Sequence, residues 1–107
     1  MKYDFNVTLK NLSGKYITQQ QDGSVLTAWD AIVQALSVAE QGASVDKKFK
    51  SYRIALKVYE ASEKNELVEL TIEETKQIKD AVAAGWPPVV MGRIFDLIEN
   101  TAPESKS

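Results

Sequence analysis

Residues 71–99 read TIEETKQIKDAVAAGWPPVVMGRIFDLIE, and the reading of this stretch decides the fold class. Thr71 with Glu74 three residues later is a Thr-x-x-Glu capping box, the signature of a helix start. Ile72, Ile78 and Val82 follow as the expected buried positions, with Thr75 between them, and Gly85 ends the helix. Pro87 restrains Trp86 to extended geometry. Pro88 suits the first turn of a following helix, where its missing N–H costs nothing. Val89, Val90, Ile94, Leu97 and Ile98 then form an apolar stripe, with Phe95 to one side. The stretch reads as helix, rigid corner, helix, with Trp86 filling the angle. A proline-rich ligand would need an exposed, extended PxxP-type segment instead. Gly92 inside the second helix costs about 1 kcal/mol relative to alanine. That cost points to a close backbone approach, so Gly92→Leu is expected to disrupt packing and Gly92→Ala to be mild.

Upstream, Tyr3, Phe5, Val7 and Leu9 alternate with polar residues, the period of a half-buried strand. NLSGK (11–15) carries turn chemistry, with Gly14 free to take a positive φ. KYITQ (15–19) returns as a second strand, which makes a hairpin. QQQDGS (19–24) is a polar loop. Thr27 is an N-cap, and Trp29, Ile32, Val33, Leu36 and Ala39 follow at helical spacing over about four turns. Gly42 is the expected C-terminal cap. A further helix runs from about Asp46 to Ala61. Phe49, Tyr52, Ala55, Leu56 and Tyr59 form one apolar face, and Ile54, Val58 and Ala61 form a second strip beside it. A helix apolar over so much of its circumference is expected at the centre of the fold. SEKNE (62–66) is a polar break and LVEL (67–70) is short and extended. The prediction is an α+β fold, an N-terminal β-hairpin packed on a bundle of about four α-helices. Residues 1–99 are expected to form a single compact domain and 100–107 a flexible polar tail.

The chain has 107 residues, a length for one domain. An apolar fraction of 44% and a charged fraction of 26% place it among globular chains rather than disordered ones. Neither cysteine nor histidine occurs. Disulfides, thiolate nucleophiles, Ser-His-Asp and Cys-His arrangements and HExxH zinc sites are therefore impossible. The N-terminal residues alternate rather than forming the apolar run of a signal peptide. No segment approaches the roughly 18 apolar residues of a membrane span. No P-loop, GxGxxG or GxSxG motif is present. Glu73 and Glu74 are adjacent, so they diverge on a helix, and their position at a helix start favours a capping role over catalysis or metal binding.

Charge is unevenly distributed. Residues 47–57 hold Lys47, Lys48, Lys50, Arg53 and Lys57 and no anion, whereas 60–74 hold six glutamates and one lysine. The net charge of −2 supplies no global basic field for nucleic acid. The cations read as a solvated face whose long stems lie along an apolar helix, with a docking face for an acidic partner as the sharper alternative. Tyr16 and Trp86 are the two aromatics that periodicity does not place in the core. Trp86 is either a partner anchor or a corner plug, and an aromatic body with one N–H suits the corner.

LKNLSGKYI, LTAWDAIVQAL, KKFKSYRIALKVYEA, VELTIEETKQIKDAV and PPVVMGRIFDLIE occur in this order. Together, over about residues 5–99, they resemble a family of small proteins of tailed bacteriophages and prophages, mostly described as hypothetical. The shared pattern consists of core and capping residues and carries no chemistry. The resemblance implies a phage or prophage origin and a single compact domain, and supplies no catalytic residues. The expectation is an accessory or assembly protein, not an enzyme and without a cofactor, working by protein–protein interaction in the host bacterial cytoplasm or in the virion. Its partner would be a phage or host protein or a second copy of itself, and not a membrane. The candidate interaction residues are Tyr16, Trp86, Gly92, Lys47, Lys48, Lys50 and Arg53. The alternative is a regulator that touches nucleic acid through the basic helix 46–61.

Overall fold

The computed structural model describes residues 2–18, 23–38 and 44–101. In chain order the elements are β1 (Lys2–Tyr3), α1 (Ala28–Ser37), α2 (Val45–Glu63), β2 (Val68–Glu69), α3 (Ile72–Gly85) and α4 (Pro88–Thr101). The layout is α+β, an N-terminal antiparallel hairpin set on four helices.

The hairpin follows from local chemistry. Tyr3, Phe5 and Leu9 are buried while Lys2, Asp4, Asn6, Thr8 and Lys10 are exposed, the two-residue period of a strand with one face in the core. Val7 is only half-buried. Asn11 builds the turn: its Oδ1 accepts from the backbone N–H groups of Ser13 at 3.0 Å and Lys15 at 3.1 Å. Gly14 takes φ 88°, a region open to glycine at no steric cost. Beyond the turn three extended arms close on one another. Leu9 N–H donates to Leu26 O (2.9 Å), Leu26 N–H to Ile17 O (2.7 Å) and Ile17 N–H to Leu9 O (3.0 Å). This ring satisfies buried backbone groups without a long strand ladder, as burial of polar backbone demands.

The N-terminal segment also caps α1. The first N–H groups of a helix have no partner inside it. Here Ala28 N–H donates to Val7 O at 2.8 Å and Trp29 N–H to Phe5 O at 3.0 Å, while Thr27 Oγ1 accepts from Asp30 N–H at 3.4 Å. β1 pairs antiparallel with β2, Lys2 opposite Glu69 and Tyr3 opposite Val68, so the chain start is held by the LVEL segment.

The centre of the fold is α1, not α2 as its broad apolar circumference predicts. Ala28, Ala31, Ile32, Ala35 and Leu36 are buried on α1, and its alanines let α2 and α3 both pack closely on it. On the longer α2 only Ile54, Ala55 and Val58 are buried. α1 stops at Ser37 with Val38 already extended, ten residues rather than the expected four turns, and the predicted cap at Gly42, like Ala39 and residues 19–22, lies outside the described residues. α2 begins on the Ser44 cap, whose Oγ accepts from Lys47 N–H at 3.1 Å. It ends in a Schellman arrangement, with Glu66 N–H on Ala61 O (2.9 Å) and Asn65 N–H on Ser62 O (3.2 Å). Asn65 takes the left-handed φ of 55° that glycine more often supplies.

The 71–99 stretch folds as helix, corner and helix. The capping box is complete: Glu74 N–H donates to Thr71 Oγ1 at 3.1 Å and Thr71 N–H to Glu74 Oε1 at 2.9 Å. Ile78 and Val82 are buried, but Ile72 is 80% exposed. Six residues before Ile78 is one and two-thirds turns, which carries Ile72 away from the buried face. Pro87 O accepts from Met91 N–H at 3.0 Å, so α4 starts at the second proline. Val90, Ile94 and Ile98 are buried on α4, and Val89 and Leu97 are half-buried. α4 continues through Thr101, past the expected end of the folded part at 99, and residues 102–107 lie outside the described residues.

Candidate interaction surface

The sequence supplies α2 with two apolar strips, and the fold buries Ile54 and Val58 of the second together with Ala55 from the edge of the first. On the other strip Val45 is 83% exposed, Phe49 58%, Tyr52 56% and Tyr59 44%, and Leu56 is half-buried. These five positions step by four, three, four and three residues. That spacing is the 3.5-residue seam by which helices pack side by side. The expectation of Phe49, Tyr52 and Tyr59 as core residues is therefore corrected: they are surface. The rings support one another along the helix, with Phe49 and Tyr52 centroids 6.1 Å apart. Tyr59 meets the edge of Trp29 at 5.9 Å, which ties the strip to α1.

The α2 cations do not form one basic face. Lys57 Nζ donates to both carboxylate oxygens of Glu74, at 3.0 and 3.1 Å. Lys50 lies 3.6 Å from Asp46 one turn away. Arg53 packs its guanidinium 5.9 Å from the Phe49 ring centroid, where a delocalised cation is attracted to the ring face. Lys47 and Lys48 line a groove of about 460 Å³ between the end of α1, the start of α2 and the end of α3. Its walls include Leu36, Tyr52, Ala55 and Ala81, so Tyr52 belongs to both the groove and the exposed strip.

Glu74 links this surface to the fold. Partial burial pushes its carboxyl up, but the backbone hydrogen bond from Thr71 and the Lys57 ammonium outweigh that and hold it below its ordinary value. One carboxylate thus completes the α3 cap and anchors α2 to α3. Gln77 adds a second tie, its Nε2 donating to Ser51 Oγ at 2.7 Å.

The other sequence-predicted residues lie apart from α2. Tyr16 is exposed on the hairpin, with Lys10 Nζ 5.1 Å over its ring. Arg93 of α4 grips the same hairpin, donating through Nε to Lys10 O (2.9 Å) and through Nη2 to Asn11 O (3.0 Å). Trp86 is the corner plug: half-buried, it donates from Nε1 to Ala31 O at 2.9 Å. Gly92 does not mark a close approach, because a Cβ built there meets nothing within 4 Å. At Gly85, by contrast, a Cβ would meet Ala35 Cβ at 3.8 Å, an ordinary van der Waals contact with α1. The exposed seam was present in the sequence as the 45-49-52-56-59 spacing, but that spacing also describes a core stripe.

Among the described residues no helix is long and apolar enough to cross a membrane, and no group of three or more acidic side chains is placed to hold a metal ion. The chain matches no protein-family model, no curated protein and no solved structure.

Proposed function

We propose that this chain is a small accessory or assembly protein of a tailed phage or prophage, and that it works by holding another protein chain on the outer strip of α2. The phage assignment rests on the ordered segments LKNLSGKYI through PPVVMGRIFDLIE. The observation that carries the binding role is the exposed run Val45, Phe49, Tyr52 and Tyr59. Contiguous exposed apolar surface rimmed by charge marks interaction sites, and tyrosine-type aromatics carry much of the energy in them. The chemistry of the strip is side-by-side helix packing. Nucleic-acid binding has weaker support, because Lys50 and Lys57 are already engaged by Asp46 and Glu74.

The test is a photo-crosslinking amino acid placed at Tyr52, compared with one at the exposed hairpin residue Lys15. Adducts from position 52 and none from position 15 support the reading. Equal yields, or none at position 52, overturn it. A low-salt gel shift on duplex DNA that weakens when Lys47, Lys48 and Lys50 are made neutral would favour the nucleic-acid reading instead.

A further inference from the structure

We infer that the occupant of the α2 strip is a second copy of this chain, packed with its own α2 antiparallel about a two-fold axis near Leu56. The inference rests on the reading of that strip as the working surface and adds the partner and its orientation.

Three observations converge on it. First, the strip runs Val45, Phe49, Tyr52, Leu56, Tyr59 with the alternating four- and three-residue steps of a helix-pairing seam. α2 has 19 residues, a rod of roughly 28 Å, long enough for a continuous helix pair. Second, the strip is self-complementary in charge. The cations of α2 occupy its first two-thirds, and Glu60 and Glu63 its end, with Glu66 just beyond. Two parallel copies would set like charge against like. Two antiparallel copies set the basic half of each against the acidic end of the other. Third, oppositely charged residues lie on either side of Leu56 at similar distances. Arg53 is three residues before it and Glu60 four after, and Lys48 is eight before it and Glu63 seven after. An antiparallel pair centred there places Tyr52 of each copy against Tyr59 of the other, Arg53 against Glu60 and Lys48 against Glu63. A two-fold interface requires this property: where residue i meets j, j must also meet i. All four charged residues are exposed, so the contacts form without unfolding any part of the chain.

The experiment is light scattering over a concentration series on the full chain and on Arg53→Glu, Glu60→Arg and the variant carrying both. The wild-type mass is expected to double with concentration. Each single reversal sets like charges together and is expected to weaken association about tenfold or more, and the double variant is expected to recover it. A thermal melt of each variant checks that the fold is intact. A strict monomer at all concentrations overturns the inference. So does a dimer indifferent to both reversals, because its interface lies elsewhere. The crosslinker at position 52 separates this failure from the failure of the binding role. An adduct at twice the chain mass supports the second copy. An adduct with a different protein, from a chain that stays monomeric, overturns the second copy and leaves the binding role standing. No adduct overturns both.

Discussion

α1 and α2 look alike as sequence and end in opposite situations. Each carries an apolar stripe at helical spacing. α1, of ten residues, buries Ala28, Ala31, Ile32, Ala35 and Leu36 between two neighbours. α2, nearly twice as long, buries three residues and leaves four large apolar side chains in solvent. An apolar stripe is a demand for a partner, and it does not state whether the partner lies in the same chain. Side-chain size decides between these two helices. Alanines let α2 and α3 approach α1 closely, whereas the aromatics of α2 project past its covered face.

The sharpest test of this contrast pairs Ile32 with Phe49. Ile32 is fully buried, and Ile32→Ala is expected to cost about 2–5 kcal/mol in urea unfolding through lost burial and a cavity. A loss below about 1 kcal/mol would show that α1 is not the packed centre. Trp86→Phe keeps the aromatic body but strips Ala31 O of its Nε1 donor, with an expected loss of about 1–3 kcal/mol on the same measurement. Gly92→Ala is expected to raise stability by about 1 kcal/mol, since alanine is the better helix former and the added methyl meets open space. A destabilised variant there would mean that a neighbour does approach α4. Phe49→Ala is expected to change stability by less than about 0.5 kcal/mol, as for a surface site, while weakening association. A large loss of monomer stability would place Phe49 in the core and remove the contrast.

The Lys57–Glu74 tie makes a prediction in pH. The folded carboxyl of Glu74 is held below its unfolded value. Its contribution is therefore present above the unfolded value and is lost as pH falls through the folded one. Wild type should lose stability on acidification below the ordinary carboxylate range, in a step that Glu74→Gln lacks. Identical acid profiles for the two proteins would show that the tie contributes nothing.

Much of the architecture was legible. Asn11 and Gly14 announce a turn, Thr71 with Glu74 a helix start, and Gly85 with Pro87 and Pro88 a corner, and each does what its chemistry says. The readings that needed correction concern direction rather than existence. Helical periodicity puts Phe49, Tyr52, Tyr59 and Ile72 inside, and the fold leaves them exposed. The helix cost of Gly92 points to a close neighbour, and the fold leaves open space there. The pairing of β1 with β2, Lys2 with Glu69, had no local signature, because two-residue strands carry too little pattern to name a partner.

The sequence alone establishes the four helices, the Thr71–Glu74 cap and the turns at Gly14 and Gly85–Pro88. Those features depend on groups within about four residues of one another, the span of a helical turn or a hairpin bend. Only the tertiary structure decided which strip of α2 is covered and which helix is central. That outcome depends on competition among apolar faces for a core too small to take them all. The face that loses, Val45 to Tyr59, is left as surface.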